Sequence, residues 1–202
     1  MFRVATLIML ALTTAASAET PVDQIVGQER RALNAIPNAR LADYLKQPTV
    51  EFSYSRKWVD SLKPAAGNAE WRCLSEALYF EARGETVKGQ FAVAEVILNR
   101  VDSPQYPDTV CGVINQGTGR KFACQFTYTC DGHDEVIGEP LAFERVSKIA
   151  HIMIKGSTRP LTKGATHYHT RAVSPAWSNT FPRTTSIGVH HFYRQPSRIS
   201  KN

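Results

Sequence analysis

Apolar residues recur at Val87, Phe91, Ala94, Leu98 and Val101, the spacing of one helical face, with Val93 and Ile97 beside it. The spacing predicts a core helix from about Val87 to Val101, stopped by Asp102-Ser103-Pro104. A second stripe, Trp71, Leu74, Leu78 and Glu81, predicts a helix from about Glu70 to Arg83 that Gly84 breaks. Phe143, Val146, Ala150 and Met153 predict a third, opened by Pro140, running to about Lys155 and ended by Gly156. The tail changes period: 165–170 and 188–193 read as two short strands that pair, with Trp177 and Phe181 in the connection. Helices first and a small antiparallel sheet after them make an α+β chain. Elsewhere the pattern is weaker. Asp23 to Leu45 predicts one or two short helices, Gln47 to Ser55 an extended stretch, and Lys63 to Asn68 a linker. Residues 105–138, rich in Gly, Pro, Asp and Cys, predict loops and short turns.

Glu81 is the polar exception in its stripe. A carboxylate that continues an apolar face, in the last turn before a glycine, faces a core or the floor of a cleft. Burial there disfavours the charged form and raises the pKa, as a general acid requires. The competing reading is an ion pair with Arg83 or Arg100 at the core edge. Glu85 follows four residues on, near the start of the next helix, where negative charge is favourable and a structural role is expected. Glu76 lies about 140° round the helical wheel from Glu81 and is expected in solvent.

The first eighteen residues read as a cleaved export signal: Arg3, an apolar run from Val4 to Leu12, and Ala16-Ser17-Ala18 before Glu19. That run is shorter than the roughly 20 residues of a spanning helix. No later stretch is long and apolar enough to cross a membrane, so no transmembrane anchor is expected. The formal net charge of +6 falls by one when Arg3 leaves. A modest, diffuse basic excess on an exported chain suits a polyanionic wall or lipid surface and argues against nucleic acid. Export also makes disulfides plausible for Cys73, Cys111, Cys124 and Cys130, which allow three pairings. The preferred pairing is Cys124–Cys130, closing a short local loop, with Cys73–Cys111, tying a helix to a later turn. With no C-x-x-C pair, a zinc cluster of these cysteines is disfavoured.

The run Phe80-Glu81-Ala82-Arg83-Gly84-Glu85 and the stretch from Gly89 to Val101 together resemble the signature of the SleB/CwlJ-type cell wall hydrolases, the spore cortex-lytic enzyme family. The resemblance continues through Cys111-Gly112-Val113-Ile114, Asp131-Gly132, Gly164 to His169, Pro175-x-Trp177, and Ile187-Gly188-x-His190-His191-Phe192-Tyr193. It implies a lysozyme-like helical domain with a small antiparallel sheet, related to lytic transglycosylases and acting on peptidoglycan. It implies the first glutamate of E-A-R-G-E, Glu81, as the catalytic acid. The chain lacks the peptidoglycan-binding repeats of spore-forming relatives, and its Cys124-Gln125-Phe126-x-x-x-Cys130 loop resembles Gram-negative versions, so wall remodelling rather than germination is implied. The expected organisation is a signal peptide over 1–18, an extension and linker over 19–67, a catalytic domain over 68–194 and a flexible tail over 195–202. A periplasmic or wall-associated location follows.

The expected reaction cleaves the β-1,4 bond between N-acetylmuramic acid and N-acetylglucosamine, with Glu81 serving first as acid and then as base. If the muramoyl 6-hydroxyl attacks, a 1,6-anhydro product forms; if water attacks, the enzyme is a muramidase. No cofactor is required. Phe126, Tyr168, Trp177 and Tyr193 are candidates to line a sugar groove, and Gln125 and His169 to bond N-acetyl or hydroxyl groups; Phe192 reads as core. The rival is a zinc amidase or endopeptidase, because His167, His169, His190 and His191 fall on two paired strands. A third reading, a wall-binding protein without catalysis, has no use for a protonated Glu81.

Overall fold

The computed structural model describes residues 21–37, 53–119 and 123–196. The expected leader, the 38–52 part of the N-terminal segment and residues 197–202 of the tail lie outside the described residues. The chain divides into two units at residue 52. In the first, helix α1 (Pro21–Asn34) carries exposed Val22, Ile25 and Leu33.

The second unit begins with a short helix, α2 (Arg56–Ser61), whose Val59 is fully buried in the main core. Residues 53–67, expected as extension and linker, therefore belong to this unit. Asp60 holds α2 in place by accepting two hydrogen bonds from Arg145, at 2.7 and 3.1 Å. Two further helices, α3 (Ala69–Ala82) and α4 (Val87–Val101), agree with the predicted bounds to within a residue. A five-residue helix, α5 (Val110–Ile114), interrupts the loop region, and α6 (Pro140–Ile154) follows it. Four side chains cap these starts: Ser55, Asn68, Thr86 and Thr109 accept from the amides of Trp58, Trp71, Gly89 and Gly112. Each such cap contributes about 1 kcal/mol.

The predicted stripes are the buried faces: Leu74, Ala77 and Leu78 of α3 meet Phe91, Val93 and Ile97 of α4 and Val146, Ile149 and Ala150 of α6. Helix α4 goes further than its stripe. Ala92 and Val96, on its other side, form a second cluster with Ala165 and Phe192, so the helix is buried between helices and sheet, as its nearly unbroken apolar sequence allows. Glu95 is 1 % exposed. Its carboxylate accepts from the amides of Leu161 and Thr162 and from the Thr162 hydroxyl, at 2.7 to 2.9 Å, and so ties α4 to the segment that enters the sheet.

The sheet holds three antiparallel strands, β1 (His167–Thr170), β2 (Arg183–Ile187) and β3 (His190–Tyr193), in the order β1-β3-β2. The predicted pairing is present, with His167 opposite Tyr193 and Tyr168 opposite Phe192. Strand β2 is an addition that the periodicity did not predict. It joins β3 through Gly188-Val189, with Gly188 at φ +59°, the two-residue hairpin loop with glycine at its first position. Both preferred disulfides are formed, Cys73–Cys111 between α3 and α5 and Cys124–Cys130 across the middle loop.

Candidate active site

Glu81 occupies the last turn of α3, half-buried, below the fully buried Leu74 and Leu78 of the same stripe. Its pKa is raised by burial, an effect partly offset by a hydrogen bond from Tyr168 and by the charge of Arg100. Tyr168 Oη donates to Glu81 Oε2 at 3.3 Å. Among the described residues Glu81 forms no ion pair within 4 Å. Arg83 pairs instead with Glu139 at 2.8 Å and lies over the Tyr79 ring. A carboxyl group whose pKa burial raises, with one donor in place and no ion pair among the described residues, has the properties of a general acid.

Arg100, on the following helix, is 3 % exposed and is the site feature that pattern reading saw only as a possible ion-pair partner. Its Nε donates to the Thr166 carbonyl at 2.7 Å, and the guanidinium lies 5.5 and 5.6 Å from the Tyr106 and Phe126 ring centres. Gln125, with its amide oriented so that the oxygen faces this guanidinium, accepts from both terminal nitrogens at 3.1 and 3.3 Å. One buried cation thus anchors the entry to β1 and the middle loop at once, behind the acid.

Strand alternation divides the expected substrate contacts. Tyr168 points to the face shared with His190 and Phe192, toward α4 and Glu81. His169, one residue on, points to the opposite face with Tyr193 and Trp177. Its Nδ1 bonds the Thr170 carbonyl at 2.8 Å and must therefore carry the proton, so Nε2 accepts from Tyr193 Oη at 3.0 Å. Both ring nitrogens of His169 are engaged in these two hydrogen bonds. Of the expected groove rings, Phe126 is 3 % and Tyr193 6 % exposed. Trp177 is half-buried beside His167 and Phe181.

Tyr128 is a further candidate that sequence reasoning missed, although the C-x-x-x-x-x-C loop that carries it was singled out. Its ring stacks on Phe80 at 4.6 Å. Burial raises its pKa, followed by the charges of Glu76, Glu81 and Glu135, which places the phenol near the acid. The same ring borders a groove of about 410 Å³ with Glu76, Asn115, Thr118 and Glu135. Glu76, expected in solvent, is only partly exposed and pairs with Arg72.

The four histidines make hydrogen-bonding and ring contacts. His167 bonds the Thr166 hydroxyl at 3.1 Å, and burial, followed by Arg100, lowers its pKa to about 4. His191 bonds Ser186 at 2.7 Å, and His190 stands 3.6 Å from Glu85. Among the described residues no group of three or more His, Cys, Asp or Glu side chains could hold a metal ion.

Comparison with known proteins gives a consistent picture. A family model described as Cell Wall Hydrolase matches residues 84–193, opening three residues past Glu81. The spore cortex-lytic enzyme of Bacillus subtilis (strain 168) is 32 % identical over 125 residues, covering 62 % of this chain and 37 % of the relative. That of Halalkalibacterium halodurans is 35 % identical over 120 residues, covering 59 % and 33 %. The chain thus spans about a third of the length of these curated relatives. Among solved structures, the catalytic domain of the germination-specific lytic transglycosylase SleB from Bacillus anthracis aligns with a TM-score of 0.51 at 32 % identity, covering 66 % of this chain and all of that one. The catalytic domain of Bacillus cereus SleB aligns with the same TM-score at 33 % identity, covering 66 % and 95 %.

Proposed function

The chain belongs to the cell wall hydrolase family, and from that premise we propose that it cuts the glycan strands of peptidoglycan as a lytic transglycosylase with Glu81 as its single acid and base. The observation that carries this reading is the state of Glu81: half-buried, with a raised pKa, one hydroxyl donor and no ion pair among the described residues. The protonated carboxyl gives its proton to the oxygen bridging N-acetylmuramic acid and N-acetylglucosamine. The carboxylate left behind keeps the Tyr168 hydrogen bond and the field of Arg100, both of which favour its charged form. It then takes the proton of the muramoyl 6-hydroxyl as that oxygen closes onto the anomeric carbon, giving the 1,6-anhydro ring. Glycosidases that use water or an enzyme nucleophile need a second carboxyl group across the bond. Here Glu76 is paired with Arg72 and Glu85 is turned toward His190, which fits a reaction whose nucleophile belongs to the substrate.

Gln125, Tyr168 and Trp177 serve as substrate contacts in this reading, joined by Tyr128, whose ring lines a groove with Glu76, Thr118 and Glu135. Residues 1–18 act as a cleaved export signal, and the enzyme works in the periplasm or at the wall. No helix among the described residues is long and apolar enough to cross a membrane.

The test is mass spectrometry of soluble products from purified sacculi treated with the wild-type protein and with Glu81→Gln. Anhydro-muropeptides from the wild type alone are expected. Reducing-end products would assign the attack to water instead. Released stem peptides, or full activity of the variant, would overturn the reading.

A further inference from the structure

The E-A-R-G-E run supplies a second carboxylate, and it is housed as closely as the first. Glu85 lies outside α4, one residue before the Thr86 cap, and its side chain is only 12 % exposed. Two glycines make room for it. A Cβ at Gly89 would stand 3.0 Å from Glu85 Oε2, and a Cβ at Gly188, in the β2–β3 loop, would overlap the same oxygen. Glycine costs about 1 kcal/mol within a helix, so Gly89 is a concession that admits this carboxylate. The other oxygen, Oε1, stands 3.6 Å from Nδ1 of His190. That nitrogen is buried and has no hydrogen bond in the structure, and the Glu85 carboxylate faces it.

His190 in turn borders the residue that touches the acid. Its ring stands at 90° to that of Tyr168 with centres 5.1 Å apart, and Phe192 closes the same ring at 5.9 Å. Tyr168 then donates to Glu81. Contacts therefore run without a gap from Glu85 through His190 and Tyr168 to Glu81, and join the two ends of one six-residue motif by way of the sheet. We propose that Glu85 is a positioning residue, which fixes His190 as the wall of Tyr168 and through it sets the geometry of Glu81. The proposal rests on the reading of Glu81 as the acid. A loosened wall lets the Tyr168 ring shift, and a displacement of about 1 Å in a reacting group costs up to about a hundredfold in rate.

The experiment measures sacculus solubilisation per folded molecule, with the folded fraction taken from circular dichroism, for Glu85→Ala, Glu85→Gln, Tyr168→Phe and the double variant Glu85→Ala/Tyr168→Phe. Sacculus binding is measured by co-sedimentation, and Glu81→Gln is run beside them. Glu85→Ala is expected to lose about tenfold in turnover with binding unchanged, and Glu85→Gln, which keeps shape and an acceptor oxygen, to recover most of it. In the Tyr168→Phe background Glu85→Ala should cost nothing more, because residues acting through one contact are not additive. Gly188→Ala, which presses on the carboxylate from the loop side, should behave as Glu85→Ala and serves if the latter does not fold. Wild-type turnover in Glu85→Ala, or losses that multiply in the double variant, would overturn the proposal while an inactive Glu81→Gln left the acid in place. An active Glu81→Gln would remove the acid and the positioning role together.

Discussion

Tyr168 Oη meets Glu81 Oε2 at 3.3 Å across 87 residues of sequence, so the carboxyl group proposed as the acid, on a helix, receives a donor from the sheet. Burial pushes Glu81 toward its neutral form, and the phenol pulls it back toward the charged one. In the proposed reaction, where Glu81 gives a proton and then accepts one, both effects contribute.

Tyr168→Phe removes the donor that favours the carboxylate. The Glu81 pKa should then rise further, so the alkaline limb of the pH–rate profile, where the acid loses its proton, moves to higher pH. Turnover should fall about tenfold, the equivalent of a hydrogen bond to a charged group worth about 1.4 kcal/mol. A pH–rate profile of sacculus solubilisation checks both.

Glu81→Gln should be inactive and yet more stable than the wild type at neutral and higher pH. A carboxyl group whose pKa is raised in the folded state contributes stability that is fully present below its unfolded-state value and is lost as pH rises through the raised one. The amide never ionises and escapes that loss. Thermal melts should show the variant above the wild type at about pH 8, with the gap closing toward about pH 4.

The two disulfides should separate stability from activity. Loop closure gives about 4 kcal/mol for Cys73–Cys111, which spans 38 residues, and about 2 kcal/mol for Cys124–Cys130, which spans 6. Replacing the first pair by serine should lower the urea midpoint more. Replacing the second should lower solubilisation more, because its loop carries Gln125 and Phe126 against Arg100 and Tyr128 against Phe80.

Glu95→Ala should cost about 3 kcal/mol or more in urea unfolding, since it leaves two amides and a hydroxyl at 161–162 without their acceptor. Activity per folded molecule should fall with it, because this segment leads into β1 and Tyr168. Equilibrium unfolding beside the solubilisation assay measures the two effects separately.

The helices were legible because their apolar spacing is long and regular, and Glu81 was legible because it broke one such stripe. Strand β2 was not. Arg183 to Ile187 is short and mixed, and only its β-branched Thr184, Thr185 and Ile187 before Gly188 signalled a hairpin. The burial of the groove candidates was not legible for another reason. Alternation along β1 establishes that Tyr168 and His169 face opposite ways, but which way is inward depends on α4, 66 residues or more from its contacts with this segment. Phe126 likewise looked available until Arg100 was placed against it. Arg100 itself carried no pattern signal, since a lone arginine in an apolar helix reads as an edge residue until its partners are known.

Helix α4 is enclosed by core clusters on two sides, and that has a consequence for how kinship and activity relate in this protein. That helix lies wholly inside the family match, which covers residues 84–193, and is fixed by those clusters and by the hydrogen bonds of Glu95 and Arg100, whereas Glu81 lies before the match opens. A descendant could lose the Glu81 carboxyl group and keep those clusters and hydrogen bonds whole, because none of them includes it. Kinship is read from residues 84–193 and the proposed acid lies outside them, so membership alone does not distinguish a working enzyme from an inert copy.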